Sequence, residues 1–237
     1  MIPPDQVEVV SDFAAFGMLA FTTNRRFGSV STGSTEPVRD VMGRWDAIRS
    51  TLSIDHGVHR LATASQVHGA HIVTHEQGWR WTGWLRGNDA DGHVSFAPGT
   101  GMAVTIADCV PIFIAHPTGP AAVLHSGWRG TAARIIEQAI ALFATRGFSA
   151  RTLHVHLGPA ICGKCYTVSA EVATRLVGEP VSAPQTVDLR ALIADHAHAR
   201  GVEHITTSPM CTKCNNDTFF SHRAGDAGRQ VAVIAAS

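Results

Sequence analysis

The sequence has no surplus of charge. Lysine plus arginine and aspartate plus glutamate both number 19. No bulk field therefore draws the chain to nucleic acid or to an anionic membrane, and only a local basic groove stays open to such partners. Long apolar runs are missing too: none approaches the roughly 18 residues of a membrane-spanning helix. The opening stretch MIPPDQVEVVSDF lacks the basic and apolar regions of a secretory leader, so a cytoplasmic location is expected. Linkers, repeats and low-complexity segments are absent, and the expectation is one domain over residues 1–237. Cysteine is scarce and odd in number: five, four of them in two C-x-x-C pairs. That excludes a secreted disulfide framework and favours reduced thiols with metal-binding or redox roles. What is present is 45% apolar residues, enough for a soluble globular chain with a substantial core.

Periodicity divides the chain. GMLAFTT (17–23) reads as a strand. EPVRDVMGRWDAIRSTL places Val38, Val41, Met42, Trp45, Ile48 and Leu52 on one helical stripe. Short strands follow at 60–67 and 71–75, then a tryptophan-bearing loop at 78–92. GMAVTIA, VPIFIA and PAAVL are strands broken at Asp108-Cys109 and at a Pro-Thr-Gly-Pro turn. TAARIIEQAIALFATRG predicts a helix over 131–146, with Ala132, Ile135, Ile136, Ala139, Leu142 and Phe143 on its apolar face and Gly147 as its stop. RTLHVHL and QVAVIA read as strands, AEVATRLV and DLRALIADHAHARG as helices. Several connections are too short for parallel crossovers. The fold expected is α/β (α+β), with mixed, largely antiparallel sheets sandwiched by helices.

The stretch ADCVPIFIAHPTGPAAVLHSGWRG sets Cys109 and His125 at the ends of apolar runs. A thiol and an imidazole so placed are a nucleophile with its base, two ligands of one metal, or a buried pair without chemistry. SQVHGAHIV offers His68 as a third ligand. His, Cys and His suit Zn²⁺, which in catalytic sites keeps a fourth position open.

QVHGAHIV, DADGHV, ADCVPIFIA, HSGWRGTAARI, LGPAIC and FFSHRAGDAGRQVAVI follow one another in the order seen in the laccase-domain (YfiH-like) family, which residues 60–237 resemble. The start, FTTNRRFGSVSTG, is only loosely similar. The family is described both as a copper-dependent polyphenol oxidase and as a purine nucleoside phosphorylase with adenosine deaminase activity. The resemblance puts its metal ligands on His68, Cys109 and His125, with Ser126 where the family usually has alanine. Its fold is also likened to a cysteine deamidase, so a Cys–His hydrolase stays open. Zinc with an open position would activate water against the purine ring at C6. Phosphorolysis instead needs fixed cations for phosphate as co-substrate.

Arg129 and the start of the helix after it are candidates for phosphate binding. Arg223 and Arg229 are further candidates, weighed against surface ion pairs. Gln66 and Ser126, beside the two histidine ligands, are candidate substrate contacts. Asp108 is either a catalytic carboxylate or a residue that orients a ligand or caps the strand end, and in an extended strand it points away from Cys109. Asp91 either reaches the site or shapes a turn. Trp79, Trp81 and Trp84 form a stacking lid for a purine, a cover for a core edge or a dimer interface.

CGKC and CTKC place Cys162, Cys165, Cys211 and Cys214 as a possible structural metal site, although the pairs lie further apart than usual. By the resemblance Cys165 and Cys211 match frequent family cysteines, while Cys162 and Cys214 look particular to this chain. His154 and His156 share a strand face, and His196 and His198 diverge on a helix. The histidines do not recur as the several H-x-H pairs of a multicopper centre, which ranks copper oxidase chemistry below zinc-dependent nucleoside chemistry. The expected partner is a small purine nucleoside, with no nucleic acid or membrane and with a monomer or homodimer. A zinc-stabilised binding module is the non-enzyme alternative.

Overall fold

A computed structural model describes residues 2–76 and 81–236. Trp79 therefore lies outside the described residues. The strands are Val7–Val9 (β1), Met18–Thr23 (β2), Arg60–Ala64 (β3), Ile72–His75 (β4), Gly83–Gly87 (β5), Gly92–Ser95 (β6) and Thr100–Ile106 (β7). They continue with Val110–Ala115 (β8), Ala121–Ser126 (β9), His154–Leu157 (β10), Thr167–Val168 (β11), Gln185–Thr186 (β12), His204–Thr207 (β13) and Gln230–Ala236 (β14). The helices are Val38–Ser50 (α1), Trp128–Ala132 (α2), Ile135–Thr145 (α3), Ala170–Val177 (α4) and Leu189–Ala199 (α5).

Two six-stranded mixed sheets form, in the orders β1-β2-β14-β7-β3-β5 and β13-β10-β8-β9-β6-β4. Strands alternate their side chains between faces, and here both faces of the central strands are covered, which is why they read as unbroken apolar runs. On β8, Phe113 and Ala115 point between the sheets towards Met102, Val104 and Ile234. Ile112 and Ile114 point the other way, onto Ile136, Ala139, Phe143 and Ile193 of α3 and α5. On β14, Val231 and Val233 face Val41, Trp45 and Ile48 of α1. The result is helix, sheet, sheet, helix, in agreement with the mixed architecture expected.

Consecutive β7 and β8 do not pair. They belong to different sheets, so the chain crosses from one to the other at Ala107-Asp108-Cys109. The antiparallel hairpin lies one step later, between β8 and β9, with Pro111 opposite His125.

Four sequence readings need correction. The 78–92 segment is not all loop: β5 runs parallel to β3 there, Leu61 opposite Trp84. The strand at 60–67 ends at Ala64, and the Gln66–His68 stretch turns. The helix over 131–146 is two helices, because Arg134 takes a left-handed φ of 56° between them. There its guanidinium donates to Glu137 at 2.6 Å, and Glu137 also accepts from Arg200 at 2.7 Å. Val38 and Met42 are exposed, so the buried stripe of α1 is Val41, Trp45 and Ile48, continued by Leu52 in the next turn.

Candidate metal centre and pocket

Three chain segments meet where β7 crosses to β8. At the crossing Asp108 has a φ of 83°, not the extended geometry expected. A non-glycine residue there costs about 1–3 kcal/mol and persists only where its surroundings hold it. Here they do: the Asp108 carboxylate accepts from Thr212 Oγ1 at 2.6 Å and from the Arg223 backbone N–H at 2.7 Å. Its carbonyl accepts from Ile161 N–H at 3.0 Å. Both carboxylate oxygens are thus engaged, and Asp108 ties the C-terminal motif to the Cys109 corner. Of the two roles weighed for its carboxylate, these bonds favour the positioning one.

Asp91 does for the histidines what Asp108 does for the cysteine. Fully buried, it accepts from the backbone N–H of His68 at 2.9 Å and of Gly69 at 2.6 Å. It also pairs with His125 Nδ1 at 2.8 Å. A carboxylate only accepts here, so His125 Nδ1 carries a proton, and Nε2 is the nitrogen that would give up its own proton to bind a metal. One side chain therefore shapes the His68 turn and orients the His125 ring. His68 itself has a φ of 59°, and its ring lies edge-on to that of His125 with centroids 4.8 Å apart. The ligand atoms of His68, Cys109 and His125 all lie within 4.8 Å of one another. Gly127 completes the cradle: a Cβ there would sit 2.8 Å from Cys109 Sγ.

Electrostatics ready the trio. Burial alone pushes the Cys109 thiol up, but the His125 imidazolium and hydrogen bonds from His125 and His68 outweigh it and bring it down to about 6. Burial pulls His125 down, yet the Cys109 thiolate and the Asp91 carboxylate raise it to about 9. Asp91 would be raised by burial, but its bonds to His125 and to Gly69 N–H hold it below the usual carboxylate range. The thiolate is the form that binds a metal. One soft thiolate, two imidazoles and a buried carboxylate behind one of them fit a zinc ion with an open fourth position.

The trio opens into a cavity of about 570 Å³ that also reaches Trp84, Arg129, Tyr166, His222, Arg223 and Arg229. Arg129 is exposed, stacks on Trp128 at 4.3 Å and has no ion-pair partner among the described residues. Arg223 lies over the Tyr166 ring at 5.0 Å and donates to Thr167 O at 3.1 Å. Neither it nor Arg229 is in an ion pair among the described residues, so the surface-pair alternative fails for both. Arg229 Nη1 donates to the carbonyls of Asp226, Ala227 and Gly228; it braces its own turn, and its pocket role is reduced accordingly.

Gln66 lines the cavity with its amide engaged, and Ser126 is turned into the core. Gln66 binds Thr105 through its backbone N–H at 2.7 Å, its hydroxyl at 2.9 Å and its carbonyl at 2.8 Å. Ser126 is fully buried, alternates away from His125 on the strand, and bonds Thr131 Oγ1 at 2.9 Å. The expected anion-binding helix start is not there in the form predicted, since α2 is a five-residue turn. Trp84 covers a core edge: it stacks on Trp45 at 4.8 Å, and its indole N–H donates to Thr63 Oγ1 at 2.8 Å. Tyr166 and His222 were missed. No spacing marks either one, and only their places beside CGKC and beside Arg223 hint at them.

Histidines elsewhere do not gather into a further metal group among the described residues. His154 stacks on His204 at 4.4 Å, and His156 bonds Thr206 at 2.8 Å. His198 bonds the Val202 carbonyl at 2.9 Å, while His196 is buried beside it on α5. The four paired cysteines do converge, as a second group with all sulfurs within 4.8 Å.

The architecture and this site define a class before any particular relative is considered, and the chain belongs to the family described as multi-copper polyphenol oxidoreductase laccase, whose model matches residues 24–237. It is similar to a protein named purine nucleoside phosphorylase YlmD from Geobacillus stearothermophilus, 34% identical over 74% of this chain and 72% of that one. It is also similar to a purine nucleoside phosphorylase of Deinococcus radiodurans, 30% identical over 91% of this chain and 87% of that one. The solved structure of the Geobacillus YlmD superimposes with a TM-score of 0.81 at 29% identity, covering 94% of this chain and 93% of that one. Among the described residues no helix is long and apolar enough to cross a membrane.

Proposed function

We propose that this chain is a zinc-dependent purine nucleoside enzyme, which splits adenosine, inosine or methylthioadenosine with phosphate into base and ribose-1-phosphate and also deaminates adenosine. The observation that carries the reading is the His68, Cys109 and His125 trio at the wall of a cavity that also presents Arg129 and Arg223. The names of the relatives support the nucleoside substrate.

In phosphorolysis the C1′–N9 bond breaks, its electron pair leaves with the purine, and a phosphate oxygen bonds to C1′. Arg129 has a guanidinium without an ion-pair partner among the described residues to hold the attacking phosphate, and Arg223 lines the same cavity as a second cation for it. Trp84 and Tyr166 offer ring faces for the purine. Asp91 holds His125 in one tautomer and shapes the His68 turn, so both imidazoles are preset. Bound zinc would supply the acidification of water that hydrolytic deamination at C6 requires, with ammonia as the leaving group.

Purified zinc-replete protein should convert adenosine and phosphate to adenine and ribose-1-phosphate, and adenosine alone to inosine, as followed by chromatography. If every purine nucleoside is untouched while copper-loaded protein oxidises phenols, the oxidase reading replaces this one. Its weakness is that the described residues gather only three histidine or cysteine ligands into one cluster at the pocket, too few for several coppers.

A further inference from the structure

The pocket uses one of the five cysteines. The other four stand apart from the proposed reaction, on two loops at the far side of the Asp108 corner. We propose that Cys162, Cys165, Cys211 and Cys214 hold a second metal ion, a structural Zn²⁺ bound by four thiolates. This goes beyond the functional reading and does not depend on it.

The geometry is that of a closed site. The two C-x-x-C segments are 49 residues apart from Cys162 to Cys211, yet a parallel bridge between Ala160 and Cys211 brings them side by side. All four sulfurs lie within 4.8 Å of one another. Zinc–sulfur bonds of about 2.3 Å in a tetrahedron give sulfur–sulfur edges of about 3.8 Å. The Cys165 and Cys214 sulfurs are 3.4 Å apart, close to such an edge and far beyond the roughly 2.05 Å of a disulfide.

Backbone amides already serve the sulfurs. Cys162 N–H and Cys214 N–H both point at Cys211 Sγ, at 3.2 and 3.4 Å. Such donors spread the negative charge that four thiolates leave on a zinc centre. The loops are seated independently of any metal. Gly163 packs so closely on Asp188, the cap of α5, that a Cβ would come within 2.9 Å of it. Arg190 of α5 donates to the carbonyls of Ser208 and Met210, at 2.6 and 3.0 Å, just before Cys211.

The composition adds an independent observation. Of 19 basic residues only two are lysines, Lys164 and Lys213, and each is the third residue of a C-x-K-C pair. Four thiolates around a dication leave a net charge of −2, and two ammonium groups set beside the sulfurs in sequence are the compensation that charge calls for. Elsewhere the chain uses arginine throughout.

The clip also bears on the pocket. Thr212, next to Cys211, donates to the Asp108 carboxylate, and Tyr166, next to Cys165, lines the cavity. Closing the four cysteines on zinc therefore fixes one wall of the pocket and the strained corner that carries Cys109.

The test is a metal count by mass spectrometry with a thiol count on the same purified, reduced protein. Two zinc ions per chain are expected. Cys109→Ala should keep one, and its cobalt-substituted form should show the intense charge-transfer absorption of a tetrahedral four-thiolate site. Cys162→Ser with Cys214→Ser should also keep one, with a lower melting temperature. If that double variant does not fold, the Cys109→Ala measurement decides alone. One zinc in the parent and none in Cys109→Ala, or disulfides among the four cysteines, overturns the proposal. A failed nucleoside assay leaves the zinc count untouched, so the two readings fail separately.

Discussion

The His68–Cys109–His125 group and the four-cysteine group hold similar numbers of donors and do opposite things with them. The first mixes nitrogen with sulfur, rests on a buried carboxylate, sits on two left-handed non-glycine residues and faces a cavity. The second is all sulfur, is served by backbone amides and joins two loops. Three ligands beside a cavity leave room for a substrate. Four identical ligands saturate a tetrahedron and leave only a cross-link. Strain marks the first group because its histidine and cysteine must be aimed into open space, whereas the second is made by two local turns that any chain can form.

That contrast can be broken most sharply by Cys109→Ala. Adenosine deamination and pocket metal should both vanish while the melting temperature stays close to that of the parent, because the side chain sits outside the three core clusters. A variant that keeps its activity would make the two groups alike. Next in size is Arg129→Ala, which should slow phosphorolysis about ten- to hundredfold, the worth of one charge-assisted contact of about 1.5–3 kcal/mol. Deamination should fall far less, since it holds no attacking phosphate; steady-state rates of the two reactions measure the split.

Asp91→Asn sharpens the comparison at the orienting shell. It leaves all three ligands in place, yet metal affinity should fall about ten- to hundredfold, as for other carboxylates that orient a ligand histidine. Competition with a chelator measures it, and the four-cysteine site should show no change.

The smallest effect concerns histidines in neither group. His75 and His93 are buried, with ring nitrogens 3.1 Å apart. Burial lowers His75 to about 4 and His93 to about 3. Unfolding raises both towards about 6.5, so the unfolded chain binds more protons between those values. Stability from this pair is therefore full above about pH 6.5 and is lost as pH falls towards 4. His93→Gln should flatten that acid limb in denaturant titrations, the reverse of what the carboxylate- and thiolate-paired His125 does.

Much of the site was legible in the chain order of its motifs. Donor chemistry offered His68, Cys109 and His125 with alternatives open, the resemblance in motif order named them as ligands, and apolar runs broken at turns gave the mixed sheets. Other features were not. Gln66 and Ser126 read as substrate contacts because they flank ligands, but which way a flanking side chain points is set by its partner: Thr105 for Gln66, and Thr131 across the GWRG corner for Ser126. The break at Arg134 is invisible in TAARIIEQ, since it rests on Glu137 being shared with the distant Arg200.

By itself the sequence determined which donors exist and the type of its long periodic segments, though not the β5 strand or the break at Arg134, because element type follows local periodicity and ligand chemistry follows residue type. Only the tertiary structure decided how they combine. The crossing of β7 to β8 between sheets brings Cys109 to His125, one carboxylate serves two histidines, and two cysteine pairs 49 residues apart close on each other. Each of these depends on strand order and on burial between layers, and contacts between distant segments are made by packing, which no local pattern encodes.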